Sequence, residues 1–358
     1  MIFATTTRFN RYVFAALPFL GLVALSAGCG SDDGATGSGG SGGTGASGGS
    51  GGTGGGTGGA GGGTGGSAGS SGSGGASGAA GSDAGGTGIY GSFVATLIDE
   101  PAPAYTKLIG QFYNGPQPPA QVLKLDSEEA GCQLLVPKNP FCMGGCMGGI
   151  CVDENTCVRQ PELIGVGTAY VTGFKGGELT LMQPPPPVIT YQPTPTLPAR
   201  ACDEAVPIEV RTDKFTIQGK CVAALEVTAK VDEKIPIKSG MPLQILWTAG
   251  QAGVSRMEIH LDIAHHGGKK GEINCDVPDT GSFEIPATLI TKLVSLGLAG
   301  FPTIDLRRVN TTVAANEPGI RLLVASDVSR DVDTGVRSCM DDTGCPTGQT
   351  CQRDLTCK

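Results

Sequence analysis

Apolar and polar residues alternate with a period of two through most of the chain beyond residue 89, and that period predicts strands. "YGSFVATLI" (90–98), "YTKLIGQFY" (105–113) and "QVLKLD" (121–126) carry it first, the second stopped by "NGPQPP". "IGVGTAYVTGF" (164–174) and "ELTLM" (178–182) form a further pair around Lys175-Gly176-Gly177. Alternation returns in "IEVRT" (208–212), "FTIQ" (215–218), "VAALEVTAKV" (222–231) and "LQILWTA" (243–249). It closes with "SRMEIHLDIA" (255–264), "GEINCDV" (271–277) and "GIRLLVAS" (319–326). The proline-rich stretch 183–198 is extended and cannot join a central strand, having too few backbone donors. One segment has the helical period instead. In 286–297, Leu289, Leu293 and Leu296 share a stripe, with Pro286 suited to the first turn and Gly297 to the stop.

Many short strands, frequent Gly/Pro turns and a single helix predict a mainly β body. The expected architecture is an immunoglobulin-like antiparallel β-sandwich with one short helix, disulfide-rich insertions and a disordered N-terminal tether. The tether is read from 34–88, where half of the chain's 60 glycines fall and Asp83 is the only charge. Gly, Ser, Thr and Ala bury too little apolar surface to offset chain entropy. Glycine does not recur at every third position there and proline is missing, which excludes a collagen helix. A Gly-x-Ser-x-Gly match at 45–49 lies inside this stretch, with neither the strand nor the helix a nucleophile elbow needs. The expected organisation is a signal peptide at 1–28, the tether at 29–88 and a small β region with a first Cys-rich segment at 89–160. A β-sandwich at 161–332 and a second Cys-rich segment at 333–358 complete it.

"YVFAALPFLGLVAL" (12–25) is apolar without a break and follows Arg8 and Arg11. Its length falls short of the roughly 20 residues of a bilayer span and suits a secretory leader. It runs into "LSAGC", which resembles the lipobox of bacterial lipoproteins, although Leu25 stands four places before Cys29 and Ser26 occupies the family's usual Leu position. The resemblance implies that Cys29 is diacylglycerylated, acylated with palmitate-type chains, and left as the mature N-terminus. Several acyl chains would anchor the protein essentially permanently. Gly30 beside the cysteine, in place of Asp, implies the outer membrane, with the body at the cell surface. The formal net charge is -8, and loss of Arg8 and Arg11 with the leader would take it to -10. An acidic body argues against nucleic acid and against docking on anionic lipid. The expected partners are therefore the membrane, through the lipid anchor, and an envelope, glycan or protein ligand. No cofactor is expected.

With Cys29 set aside, twelve cysteines remain, an even number that in an exported protein predicts disulfides. Cys132 precedes a cluster of Cys142, Cys146, Cys151 and Cys157; Cys202, Cys221 and Cys275 are scattered; Cys339, Cys345, Cys351 and Cys357 form the tail. Both clusters begin Cys-Met, have a Gly shortly before the third cysteine, and close with Cys-x5-Cys ending on Thr156 or Thr356. They look like copies and resemble EGF- or Dickkopf-like cysteine knots. A twenty-residue segment has no core and must be stapled. The tail can close on itself, whereas a bridge from the first group to the sheet is expected. A zinc site fits poorly, because the even spacing of the tail is not that of metal ligands.

Two stretches invite a catalytic reading. "DTGS" at 279–282 and "DTG" at 333–335 carry the tripeptide of pepsin-like acid proteases, where two aspartates share a proton. Three features speak against it: only 54 residues separate the pair, Val336 follows the second copy, and Pro278 precedes the first. Asp279–Gly281 is instead expected to be a turn. The second stretch holds all the histidines. His260 and Asp262 alternate against the apolar face of 257–263, with His265 and His266 close by, so the four are candidate metal ligands. The simpler expectation is that His260 and Asp262 face solvent and that 265–270 is a hairpin tip. "HGG" at 266–268 has no esterase partner motif. Trp247 falls on the Leu243/Ile245 face and is expected in the core. A sugar platform could still be built from Tyr105, Tyr113, Tyr170 or Tyr191, and calcium could bind Asp341, Asp342 and Asp354.

Taken whole, the architecture resembles the tethered lipoproteins abundant in myxobacteria, which implies export and anchoring and no activity. The leading expectation is a non-enzymatic surface lipoprotein that binds, adheres or serves structurally. The alternatives are a periplasm-facing structural lipoprotein and a hydrolase whose site the sequence hides.

Overall fold

Residues 88–100, 102–119, 122–138, 145–153, 155–187, 189–229, 233–264 and 270–358 are described in the computed structural model. The leader, Cys29, the tether up to residue 87, Cys142, His265 and His266 lie outside them. In chain order the elements are β1 (Tyr90–Ile98), β2 (Tyr105–Tyr113), β3 (Leu123–Glu129), β4 (Cys132–Pro137), β5 (Gly149–Cys151) and β6 (Cys157–Arg159). Next come β7 (Ala169–Thr172), β8 (Leu179–Leu181), β9 (Pro207–Arg211), β10 (Thr216–Lys220), β11 (Ile235–Pro236) and β12 (Leu243–Leu246). The last are β13 (Arg256–Asp262), β14 (Glu272–Pro278), β15 (Ser282–Ile285), α1 (Ala287–Ser295), β16 (Thr303–Ala314) and β17 (Glu317–Asp333).

β16 and β17 form a long hairpin at the centre of a nine-stranded sheet ordered β2-β1-β17-β16-β13-β14-β4-β3, with β11 added against β17. The even-numbered side chains of β17 point to one side along its whole length. Ile320, Leu322 and Val324 enter one core, and Val328 and Val332 enter a second. The body is thus two lobes on one sheet. In lobe 1, a four-stranded sheet ordered β10-β9-β7-β8 packs over β1, β2 and the near half of β17, a sandwich around Phe93, Phe112, Tyr191 and Ile208. In lobe 2, the β12–β15 pair and α1 cover β13, β14 and the far half of β17, around Ile245, Met257, Ile259 and Leu293. Each fully buried side chain of this kind contributes about 1.5–3 kcal/mol.

The mainly β sandwich with one helix is the observed architecture. Its pairing is antiparallel except where β1 and β11 each run parallel to β17. The division at residue 160 does not separate two bodies: β1 and β2 complete the lobe 1 core, while β3 and β4 lie on the far side of β14 in lobe 2. The chain reaches each lobe more than once, so no boundary in sequence can divide them.

Local chemistry explains the ends of the sheet. The proline-rich stretch runs along β2 as a partial strand: Gly110 and Tyr191 exchange bonds at 2.9 Å, and Thr106 N donates to Leu197 O at 3.1 Å. At the other edge β3 carries Lys124, Asp126, Glu128 and Glu129, and charge of this kind deters further strand pairing. α1 starts after Pro286 and buries Leu289, Ile290 and Leu293; Leu296 caps it and is 37% exposed, so the predicted stripe ends one turn early.

Two expectations about strands are corrected. Residues 222–229, the described part of the expected strand 222–231, are a loop with a single bridge at Val227, although Val222 and Leu225 are buried. Conversely, β16 was not foreseen. Its inward positions read Ile304, Leu306, Arg308, Asn310, Thr312, Ala314, and the polar residues in that series hide the alternation.

Candidate functional site

Asp279 sits just past β14, where the chain leaves the long sheet for β15, with Gly281 at φ +93°. The turn is where the sequence places it; its role is larger than a turn's. Arg308 donates from Nε to Asp279 Oδ2 at 2.7 Å and from Nη2 to Oδ1 at 3.3 Å. Trp247 Nε1 donates to Oδ1 at 2.7 Å and Ser255 Oγ to Oδ2 at 2.6 Å. The guanidinium also donates to the carbonyl of Ala224 at 2.9 Å and to that of Thr248. The ion pair is out of solvent, its side chains 1% and 3% exposed. A Cβ at Gly250 would lie 2.6 Å from Asp279 Oδ2, so glycine is needed for the backbone to come this close. Burial alone would raise the carboxyl's pKa, but the bonds from Arg308, Ser255 and Trp247 outweigh it and hold the pKa below the ordinary aspartate value.

Asp333 is at the far end of β17, exposed, with Oδ1 accepting from Gly335 N at 2.9 Å. One aspartate is consumed by a buried arginine and the other folds a surface turn, so the two share no proton. Trp247 is in the core as expected, 5% exposed, with its N–H spent on Asp279.

The histidine cluster is only partly described. His260 is half-buried on β13 with Nδ1 2.6 Å from Asn274 Oδ1, and Asn274 in turn donates to Glu272 at 3.0 Å. Asp262 does not face solvent. It is 6% exposed and accepts from Ala264 N at 2.8 Å, closing the strand end. These contacts hold a strand together and bring no group of metal-ligating atoms into range among the described residues.

The cysteines pair as Cys132–Cys275, Cys146–Cys157, Cys202–Cys221, Cys339–Cys351 and Cys345–Cys357, and Cys151 is also disulfide-bonded. The first of these ties β4 to β14 inside the sheet. The two Cys-rich segments are built alike. Cys151 pairs with Cys157, and Cys351 with Cys357, as antiparallel partners. Val152 N bonds Thr156 O at 3.0 Å, matched by Gln352 N to Thr356 O at 2.9 Å. Gly148 and Gly348, each three residues before the third cysteine, adopt φ of +71° and +88°. The sulfurs of Cys339, Cys345 and Cys351 come within 4.8 Å of one another, but they belong to two disulfides and offer no thiolate to a metal. The tail aspartates cap turns: Asp341 accepts from Thr343 N at 2.9 Å and Asp342 from Cys351 N at 2.7 Å. Lys358 and Thr356 bind Asp354 and bring its pKa down to about 2.

The remaining feature is the outer side of the long sheet, facing away from both cores. Over lobe 2 it is acidic. Cross-strand register aligns Asp276, Glu258, Arg307 and Asp327 in one row, and Asp305 and Asp331 stand exposed beyond it. Arg256 and Arg307 pair with Asp276 at 2.6 Å and Asp327 at 2.8 Å. Burial raises the pKa of Glu258 despite Arg307. Over lobe 1 the same side carries Tyr90, Tyr113, Gln111 and Arg321. Tyr105 lies eight residues from Tyr113 on β2, roughly 27 Å away along a strand. Tyr170 is held under Arg211 at 5.4 Å, and Tyr191 is wholly buried, bonded to Val166 N and Gly167 O. The four tyrosines expected as a platform therefore do not form one, and Tyr90 was overlooked.

No protein-family model matches the chain, and no curated protein matches it in sequence. Among solved structures it is similar to the FN1–FN3 domains of chicken CNTN1, at 9% identity over 63% of this chain and 78% of that one, with a TM-score of 0.20. It is also similar to a tetra-tandem repeat from the extending region of a large adhesion protein, at 10% identity over 70% of this chain and 76% of that one, with a TM-score of 0.18.

Proposed function

We propose that this chain is a membrane-anchored surface lipoprotein whose body is a non-enzymatic binding module. The observation that carries the reading is the use made of its most catalytic-looking residue. Asp279 is bonded on both oxygens by Arg308, Trp247 and Ser255, leaving the carboxylate no freedom to take up or deliver a proton. Disulfides spread over both lobes and both Cys-rich segments suit a rigid body exposed to an oxidising exterior. A broad sheet face with outward polar side chains suits recognition by surface more than by an enclosed pocket. Anchoring rests on the lipobox-like stretch ending at Cys29, and the glycine-rich tether would hold the body away from the membrane.

Protease shaving of intact cells tests the placement. Release of a fragment corresponding to residues 89–358 is the expected result. Full protection until the envelope is breached would overturn the surface reading in favour of a periplasm-facing structural role.

A further inference from the structure

We propose that the lobe 1 half of the outer sheet face binds an acidic saccharide; this rests on the binding-module reading above. Tyr90 and Tyr113 are direct cross-strand partners on β1 and β2. Their strand neighbours Phe93, Leu108 and Phe112 are buried on the opposite side, so both tyrosines point outward. The Tyr90 ring occupies space left by Gly319, where a Cβ would lie 2.9 Å from a ring carbon. Two residues along, Gln111, Ser92 and Arg321 form a row across three adjacent strands, about 10 Å wide at ordinary strand spacing. Gln111 is pre-set: its Nε2 donates to Thr190 Oγ1 at 2.9 Å and its Oε1 accepts from Tyr113 at 3.4 Å.

The charge pattern selects the ligand. Arg321 and Lys107 are exposed, and neither has a partner among the described residues. From 90 to 98 and from 105 to 113, β1 and β2 contain no carboxylate. The protein as a whole is acidic, so a stretch of β1 and β2 without carboxylates, flanked by the unpaired Lys107 and Arg321, complements an anion; on β17 the carboxylate nearest in sequence to Arg321 is Glu317, four residues away. Arginine's planar fork matches a carboxylate with two parallel bonds. Tyrosine rings offer an apolar face for sugar C–H groups and a hydroxyl at the rim, while the amide and Ser92 supply hydroxyl contacts. A flat row of this width suits a short stretch of polymer. A uronate-containing oligosaccharide combines these requirements in one chemical class.

The test is calorimetric titration of the full chain with hexagalacturonate, with maltohexaose as the neutral control. Hexagalacturonate should bind and maltohexaose should bind far more weakly. Arg321→Gln should weaken binding about tenfold or more, the loss of a charged hydrogen bond. Tyr113→Phe should retain most of the affinity and Tyr113→Ala should lose it, with near-UV circular dichroism confirming the fold. Asp305→Asn, on the acidic half, should change nothing. Equal binding of both sugars, or unchanged hexagalacturonate affinity in Arg321→Gln and Tyr113→Ala, would overturn the site. So would salt-sensitive self-association without sugar binding, which would assign the patch to the acidic half of a second copy. If shaving releases the body but no sugar binds, the site falls and the surface reading survives.

Discussion

Asp279 and Asp333 sit in the same tripeptide, Asp-Thr-Gly, yet have nothing else in common. Asp279 ends β14 at a crossing between sheets, where a buried arginine, an indole and a hydroxyl converge on it. Asp333 ends β17 at the edge of the body and bonds only a nearby backbone N–H through its side chain. The tripeptide specifies a turn in both places, because Asp and Gly are what tight turns select. Whether that turn also carries a charge into the interior depends on what the chain brings to it from 24 to 32 residues away: Arg308 on β16, Trp247 just past β12 and Ser255 just before β13. A short motif identifies the local conformation and leaves the chemistry open.

Breaking the comparison at its stronger end should have the largest effect. Asp279→Asn leaves the Arg308 guanidinium buried without its counter-ion, and the expected cost is about 3–5 kcal/mol in denaturant unfolding. That is a large share of the 5–15 kcal/mol typical of a domain. The pH dependence has a definite sign. A depressed folded pKa contributes stability that is present above the unfolded value and is lost as pH falls through the folded one. Acid unfolding of the native chain should therefore contain a component that Asp279→Asn lacks. If that variant matched the native chain in stability and acid response, the buried pair would not be structural.

Glu258 sharpens the comparison from the opposite side, since burial raises its pKa. Its protonated form is favoured by folding, so its contribution is fully present below the unfolded pKa and is lost as pH rises through the folded one. Glu258→Gln should raise stability at neutral pH by about 0.5 kcal/mol or less, and leave it unchanged in acid. A melting-temperature series across pH would read this directly; a loss at neutral pH would show that the carboxylate is needed on that face. The smallest effect belongs to Asp333→Asn. An exposed turn residue replaced by one with the same turn preference should shift unfolding by no more than about 0.5 kcal/mol. A larger loss there would mean that the two tripeptides are more alike than their surroundings indicate.

Much of the strand inventory was legible, and the misses share a cause. Strands such as 90–98, 105–113 and 256–262 were readable because one face is apolar or small, with Thr106 the one polar exception. β16 was not, because Arg308 takes an inward position that alternation reserves for an apolar residue. The loop at 222–229 misled in the complementary way. Val222 and Leu225 are buried, but backbone groups beside them are met by side chains: Arg308 on Ala224 O, and Ser326 on Leu225 N at 2.9 Å. The same buried polar network thus concealed a strand and disguised a loop. Tyr105, Tyr113, Tyr170 and Tyr191 were equivalent as candidates in sequence, and only register distinguishes the half-buried, outward Tyr90–Tyr113 pair from the wholly buried Tyr191.

The sequence by itself determined what depends on near neighbours: strand periods, helix ends set by Pro286 and Gly297, and a Cys-rich tail that staples itself within about twenty residues. The tertiary structure decided everything set by distant partners. β1 pairs in parallel with β17 across more than 200 residues of chain, Cys132 bonds Cys275 at a separation of 143, and Arg308 finds Asp279. These contacts come from packing two cores against one continuous sheet, and no period or spacing along the chain encodes which strands that sheet will bring side by side.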